Sequence, residues 1–413
     1  MTKSKLSRPE PIHSRTEHRP LLDLIASQEV PAIDVAALSY LPGGISELEQ
    51  AAFQQWSGDA PVLTHIVDTP FGRIGLFALP ITADALYGER ERLQRLSWQA
   101  INLARSAGAR IVALTGLLSS ATNYGHAFAS LLGHQAMPVV TTGHATTTAA
   151  VVLNIQALLA QAGRNLAQES VSFVGLGSIG RATLQLMLRV LPHPRSLLIC
   201  DLYSKQRDLE EIGASLEREG YQGKIIVAQA RAGRVPEEVY QTTTLVGATN
   251  VPEVVDIWRL PSGCLVVDDS APHCFSSEQA LQRIEQRGDI LVTEGGELST
   301  PWNLSELCYL PYASEAIGRL MKSEELFALR DNPNDIMGCL LSAALSHRLA
   351  VPTTLGHVDV SVSLQHFEAL CKCGISGALP HLGHVKFRDA ITRFRGFFGK
   401  PETGAGCRVM EAA

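Results

Sequence analysis

The stretch VSFVGLGSIG, from Val171 to Gly180, decides the fold class predicted for this chain. Its first four residues predict a buried strand, and the pattern Gly-x-Gly-x-x-Gly then opens a helical run that ends near Val190. A second predicted strand begins at Ser196 and ends at Asp201, about 20 residues beyond the last glycine. This order indicates a dinucleotide-binding βαβ unit, the alternative being a glycine turn in an α/β fold that binds nothing.

The glycines of this motif have separate expected roles. Gly175 permits a tight turn, Gly177 lets a pyrophosphate approach the backbone, and Gly180 allows the helix to pack closely on the strand. The helix is predicted over Arg181–Val190, with its N–H groups and positive dipole end facing the phosphates. Ser178 and Ile179, inside the motif, are further candidate cofactor-binding residues.

The residues around the second strand end leave the cofactor open. Asp201 suits a ribose 2′-OH, which favours NADH. Ser204, Lys205 and Arg207 follow at once and could instead hold the 2′-phosphate of NADPH.

Small residues follow a later predicted strand. Gly247, Ala248 and Thr249 come after the strand that starts at Thr244, and ligands of such sheets bind beyond the carboxyl ends of the strands. These residues would leave room for a nicotinamide, the alternative being an ordinary turn.

Composition excludes several classes of protein. The chain has 413 residues, 46% of them hydrophobic and 18% charged, with a net charge of −6, which argues against a general nucleic-acid binder. No run of about 18 apolar residues predicts a transmembrane segment, and the basic first 20 residues, a predicted flexible arm, lack the apolar region of a signal peptide. The eight scattered cysteines have no zinc spacing and suggest reduced thiols in a cytoplasm, with no metal site.

Strands and helices alternate along most of the chain. This pattern predicts an α/β fold with an N-terminal α/β domain, a central Rossmann doubly wound parallel sheet and a mainly helical C-terminal region. The predicted divisions are an extension over 1–60, a substrate domain over 61–145, the dinucleotide-binding domain over 146–300 and the helical region over 301–413, whose tail from Gly399 is expected to be mobile.

Cysteine and histidine supply the candidate reactive groups. Cys339 lies in an apolar helix predicted over 333–349, opened by Asn332-Pro333, and such cysteines are usually inert core residues. Cys264 and Cys274 are equal candidates on local grounds. His144 follows a predicted strand, where it could donate a proton or be satisfied locally.

Several segments together resemble the acyl-(acyl-carrier-protein) reductases of cyanobacterial alkane synthesis. The resemblance runs in order over roughly residues 62–381. In addition to the glycine motif, it is carried by Leu114–Ser120, Thr141–His144, Gly263–Asp268, Thr293–Gly296, Gly338–Leu345 and Gly374–Gly377. Asp269–Cys274 replaces the family's Gly-Gly-Tyr-Pro-Lys-Asn.

The resemblance implies a function and a nucleophile. Members reduce a fatty acyl thioester to an aldehyde with NADPH, and their nucleophilic cysteine maps to Cys339. An acyl carrier protein or coenzyme A would deliver the acyl group, and an aldehyde-consuming enzyme would be a further partner. Ser119, Ser120 and His144 are candidate oxyanion donors.

Two other functions fit the same layout. A dehydrogenase of the shikimate type, or one like glutamyl-tRNA reductase, has a similar order of domains. The first needs a lysine that the region 61–145 lacks, and the second needs a basic surface for tRNA. A further hypothesis, which involves no catalysis, is that the chain is a nucleotide-binding homologue of such enzymes.

Overall fold

The structure is a computed structural model that describes residues 19–128, 137–204, 206–230, 233–309 and 332–399. Most of the predicted basic arm, Lys205 and the tail from residue 400 therefore lie outside the described residues.

The α-helices of these residues are numbered in chain order. They are α1 (Leu21–Ala26), α2 (Glu47–Ser57), α3 (Arg90–Ser106), α4 (Leu118–Ala121), α5 (His144–Ala162), α6 (Ser178–Val190), α7 (Gln206–Arg218), α8 (Ser277–Gln286), α9 (Gly338–Leu349), α10 (Val360–Lys372) and α11 (Arg388–Phe398).

The strands are numbered in the same way. They are β1 (Val35–Leu41), β2 (Val62–Thr69), β3 (Gly72–Thr82), β4 (Ile111–Leu114), β5 (Val139–Thr141), β6 (Ser170–Val174), β7 (Ser196–Asp201), β8 (Lys224–Gln229), β9 (Thr244–Gly247), β10 (Cys264–Asp268), β11 (Ile290–Glu294), β12 (Glu297–Ser299), β13 (Ser305–Cys308), β14 (Asp335–Met337), β15 (Ser376–Gly377), β16 (His381–Leu382) and β17 (Val385–Lys386).

The chain forms two compact units, each made from two segments. Unit 1 contains the residues up to Ala150 and those from Glu297 to Ser376. Unit 2 contains Val151–Gly296 and the residues from Gly377 onward. This division differs from the predicted one, because the region after residue 300 supplies parts of both units and is not a separate helical domain.

Unit 1 is built on a mixed six-stranded sheet in the order β13-β2-β3-β1-β4-β5. β1 is parallel to β3 and β4, while β2 is antiparallel to β3 and to β13. Five apolar side chains of α3 are buried at helical spacing, and α9 packs on β1, β3 and β4. This corrects the prediction of a separate N-terminal extension over 1–60, since β1, which lies in that range, is a central strand of this sheet.

Unit 2 is built on a six-stranded parallel sheet in the order β11-β10-β9-β6-β7-β8. This is the doubly wound Rossmann order predicted from the glycine motif, with β6 and β9 at the point where the strand order reverses. β10 is buried along its whole length, as expected for a central strand covered on both faces. The predicted α/β fold class is confirmed.

One described helix, α5, is long and apolar enough to cross a membrane by length and composition. Within the protein 78% of its most apolar window is buried, which is the behaviour of a core helix.

Candidate active site

The three glycines of the loop in unit 2 differ in the space that a side chain would occupy. Protein atoms fill that space at Gly175 and Gly180, and it is empty at Gly177. Gly175 has a φ of +96°, and a Cβ built on it would lie 2.3 Å from the carbonyl oxygen of Ala248. A Cβ on Gly180 would lie 2.1 Å from the carbonyl oxygen of Gly175, so helix and loop are in direct contact. A Cβ on the exposed Gly177 would meet no atom within 4 Å. Among these three glycines, Gly177 is therefore the one whose surface is open to a ligand.

This open surface leads to the first turn of α6. The helix starts at Ser178 and Ile179, with Gly177 as its N-cap residue. First-turn N–H groups of a helix have no acceptor within the helix, and the helix dipole favours a negative charge there. The residues present therefore fit the pyrophosphate of a nicotinamide dinucleotide.

Asp201 ends β7 as predicted, but its carboxylate has backbone partners. Oδ2 accepts the N–H of Leu176 at 2.6 Å, and Oδ1 accepts those of Tyr203 at 2.8 Å and Ser204 at 2.7 Å. Asp201 is 6% exposed. Its carboxylate thus joins the glycine loop to the loop after β7, a role that the sequence did not indicate.

Of the two positively charged residues predicted to hold a 2′-phosphate, the structure describes Arg207. Its side chain is 86% exposed and pairs with Glu211 one helical turn away at 3.2 Å. An exposed i,i+4 pair is weak, so the guanidinium can leave Glu211 at little cost.

The loop after β9 is held between its neighbours. The space beside Gly247 is filled by protein, since a Cβ there would lie 2.1 Å from Oδ1 of Asp268 and 2.7 Å from Sγ of Cys274. The N–H of Thr249 donates to Oγ of Ser270 at 3.0 Å. The absence of a side chain at Gly247 therefore makes room for Asp268, and its expected place beside a nicotinamide stays a prediction. Ala248, which contacts Gly175, and Thr249 remain at the carboxyl edge of the sheet.

Sequence reasoning missed a histidine beyond β10. Nδ1 of His273 lies 2.8 Å from Oδ2 of Asp268, whose side chain is fully buried, and Nε2 lies 3.8 Å from Oε1 of Glu294. Asp268 and Glu294 end adjacent strands in register. The sequence did contain a signal for this pair, because a carboxylate ends a predicted strand and a histidine follows five residues later.

Two cysteines considered as nucleophiles are buried in unit 2. Burial raises the pKa of Cys264 to about 12, and burial together with Asp268 raises the pKa of Cys274 well above its usual value. Both remain protonated thiols at neutral pH, so neither is suited to nucleophilic attack.

Cys339 lies in the first turn of α9, in unit 1. The predicted helix start at Asn332-Pro333 is wrong, because β14 pairs antiparallel with β12 and the helix begins only at Gly338. The half-buried Cys339 is thus the second helical residue, not one placed two turns into the helix. A helix N-terminus stabilises a thiolate, so this position favours a reactive cysteine.

The turn before α5 lies against Cys339. Gly143 has a φ of +71°, and a Cβ built there would lie 3.1 Å from Oγ of Ser342 and 3.4 Å from Cα of Cys339. Glycine permits this close approach, which places the start of α5, where His144 begins the helix, beside the start of α9.

His144 is buried and stays neutral at physiological pH. Burial, and next the charge of His357, lowers its pKa to about 4. The ring of Tyr124 lies 5.7 Å from that of His144 and 4.4 Å from that of His357, measured between centroids. Tyr124 and His357 were not predicted. A neutral imidazole here can donate a hydrogen bond to a developing oxyanion.

The two predicted serines have other partners. Oγ of Ser119 lies 3.0 Å from the carbonyl oxygen of Leu114 and 2.9 Å from that of Thr142, and its one O–H can donate to either, which holds its loop to the turn before His144. Oγ of Ser120 lies 2.7 Å from the hydroxyl of Tyr87. These contacts give Ser119 a structural role and direct Ser120 toward Tyr87.

No family model matches the chain, and no curated protein sequence matches it. Among solved structures, it is similar to L-tryptophan dehydrogenase from Nostoc punctiforme, with 13% identity over 88% of each chain and a TM-score of 0.33. Quinate dehydrogenase from Corynebacterium glutamicum has 13% identity over 82% of this chain and 100% of its own, with a TM-score of 0.31. Shikimate 5-dehydrogenase from Listeria monocytogenes has 12% identity over 63% of this chain and 85% of its own, with a TM-score of 0.29. Similarity this low carries no argument about function.

Proposed function

We propose that the protein is a nicotinamide-dependent oxidoreductase that reduces an acyl thioester to an aldehyde through Cys339. The observation that carries this proposal is the position of Cys339 in the first turn of α9, where its backbone lies beside the turn that leads into His144. The open face over Gly177 supports cofactor binding in unit 2. The resemblance to acyl-(acyl-carrier-protein) reductases supplies the substrate class.

The first step forms an acyl-enzyme. The Cys339 thiolate attacks the thioester carbonyl, a carbon–sulfur bond forms, and the carrier thiolate leaves and takes a proton from water. Thiolate and thioester exchange readily, and the new thioester remains electrophilic. The neutral His144 donates a hydrogen bond to the carbonyl oxygen while that oxygen carries negative charge.

The second step releases the aldehyde. Gly177 and the first turn of α6 would hold a reduced nicotinamide dinucleotide, which would supply the hydride when bound. The tetrahedral oxyanion on Cys339 then re-forms its C=O bond and expels the cysteine thiolate, so the carbonyl oxygen needs no net proton. We propose NADPH as the preferred donor, because the Asp201 carboxylate is engaged by backbone N–H groups and Arg207 is exposed nearby.

The test measures oxidation of NADPH and NADH with palmitoyl-coenzyme A and with palmitoyl-acyl carrier protein. Wild type is expected to form hexadecanal, counted together with any hexadecanol made from it, and Cys339→Ala is expected to lose at least about 100-fold in rate because no acyl-enzyme forms. Cys371→Ala removes an exposed cysteine and is the matched control. Without cofactor, mass spectrometry should find palmitate on Cys339.

Normal aldehyde formation by Cys339→Ala would exclude the thioester mechanism. Absence of cofactor oxidation with both acyl donors would exclude the substrate class.

A further inference from the structure

The carboxyl edge of the unit 2 sheet holds a histidine–aspartate pair that thioester reduction does not require. We infer that this pair, His273 and Asp268, makes unit 2 an aldehyde reductase that converts an aldehyde to a primary alcohol. The inference rests on the dinucleotide binding of the proposed function but not on its thiol, and all of its residues lie in unit 2.

The pair lies on the half of the sheet that serves the nicotinamide. In a doubly wound sheet each half binds one nucleotide, and the glycine loop lies where the halves meet. β7 and β8 flank β6 on one side, while β9, β10 and β11 continue on the other. Since Asp201 on the β7 side marks the adenosine half, the ends of β9 and β10 mark the nicotinamide half.

Two neighbouring loops connect the glycine loop to His273. The loop after β9 contacts Gly175 through Ala248. It then binds the loop after β10, since the N–H of Ala271 donates to the carbonyl oxygen of Thr249 at 3.2 Å. The N–H of Glu253 donates to the carbonyl oxygen of His273 itself at 3.1 Å. His273 is thereby held in a fixed position at this edge.

The hydrogen bond to Asp268 fixes the orientation of the imidazole. Asp268 also accepts the N–H groups of Ser270 at 3.2 Å and Cys274 at 3.1 Å, so its carboxylate is itself rigidly placed. A buried carboxylate on Nδ1 selects the tautomer and leaves proton transfer to Nε2. The His273 side chain is 27% exposed, which allows it to recover a proton from water.

Reduction of an aldehyde requires a proton on the carbonyl oxygen that reduction of a thioester to an aldehyde does not. When a thioester is reduced, the oxyanion collapses by expelling a thiolate. When an aldehyde is reduced, the carbonyl carbon accepts a hydride, the C=O π bond breaks, and the oxygen must take a proton. In its imidazolium form His273 donates that proton from Nε2, keeps its Nδ1–H on Asp268 as a neutral imidazole, and takes up a new proton from solvent at Nε2. The balance is aldehyde plus reduced nicotinamide dinucleotide plus one proton, giving primary alcohol plus oxidised dinucleotide.

The experiment supplies aldehydes directly to the full-length protein. Wild type with NADPH or NADH is expected to convert octanal to octanol, measured by cofactor oxidation and gas chromatography. His273→Asn keeps a donor for Asp268 but removes Nε2, so kcat with octanal should fall at least about 100-fold, the usual contribution of a general acid. Dinucleotide affinity, measured by fluorescence titration, should stay within about twofold.

A surface histidine provides the matched control. His193 is exposed in the loop before β7, at the amino end of the sheet, and His193→Asn should leave octanal reduction unchanged. His273→Gln is the second variant at the site and should lose activity as His273→Asn does.

Two results would overturn the inference. One is the absence of reduction of octanal, benzaldehyde and glyoxylate by wild type, and the other is octanal reduction by His273→Asn at a rate close to that of wild type. Octanal reduction without any thioester reduction would contradict the proposed function and support the present inference.

Discussion

The backbone N–H of Leu176, inside the glycine loop, donates to Oδ2 of Asp201 at 2.6 Å. The residue expected to read the cofactor ribose thus also holds the shape of the phosphate-binding loop. A substitution of Asp201 can therefore show whether its carboxylate acts on the geometry of the loop or on the choice between NADH and NADPH.

Replacement of Asp201 by alanine should weaken NADH and NADPH binding together. Three backbone N–H groups lose their acceptor, so we also expect the free energy of unfolding to fall by at least about 2 kcal/mol. Urea unfolding and fluorescence titration with both dinucleotides measure the two effects. Loss of NADH binding alone would assign the carboxylate to the ribose.

Two alanine substitutions in the glycine loop should separate folding from binding. Gly177→Ala meets open space, so its melting temperature should stay near that of wild type while dinucleotide affinity falls at least about tenfold. Gly180→Ala would collide with the Gly175 carbonyl and should cost about 1–3 kcal/mol of stability. Thermal melts and titrations check both. Unchanged cofactor affinity in Gly177→Ala would argue against a pyrophosphate at that surface.

Acid should destabilise the fold through buried histidines. The pKa of His144 is about 4 in the folded protein against 6.5 in the unfolded chain, so the native state binds fewer protons between these values. Stability is therefore full above about pH 6.5 and declines as the pH falls toward 4, by about 3 kcal/mol for this residue. His65, whose pKa burial lowers to about 3, acts in the same direction.

Urea unfolding at a series of pH values measures this decline. His144→Asn should show a shallower dependence, whatever its stability at pH 7. An equal slope in variant and wild type would show that His144 does not contribute.

Thiol alkylation should favour Cys339 over the more exposed Cys371. Burial and the nearby Glu368 raise the pKa of Cys371, whereas Cys339 lies at a helix N-terminus. Limiting iodoacetamide at pH 7 followed by peptide mass spectrometry gives the order of modification. Earlier modification of Cys371 would contradict an activated Cys339.

Local patterns predicted the dinucleotide-binding sheet well. β6, β7 and β10 are short apolar runs, and the glycine motif lies between a strand and a helix as its spacing requires. These features depend on neighbours in the chain, which sequence patterns capture.

Contacts between distant segments were not predictable in the same way. Asn332-Pro333 is a good local signal for a helix start, but pairing with β12, far back in the chain, keeps Asp335–Met337 extended. The first-turn position of Cys339 follows from that pairing. The bond between His273 and Asp268 likewise depends on the course of a loop, which composition does not reveal.

The interleaved order of the two units also sets when each can be completed during synthesis. β13 and α9 of unit 1 leave the ribosome only after the whole of Val151–Gly296, and unit 2 still awaits β16 and α11. Until then the edge of β2 lacks its partner strand, and the sheet face that α9 covers is bare. Neither unit can be released as a finished domain from a single stretch of the chain, so the folding of both has to wait for segments that follow Gly296.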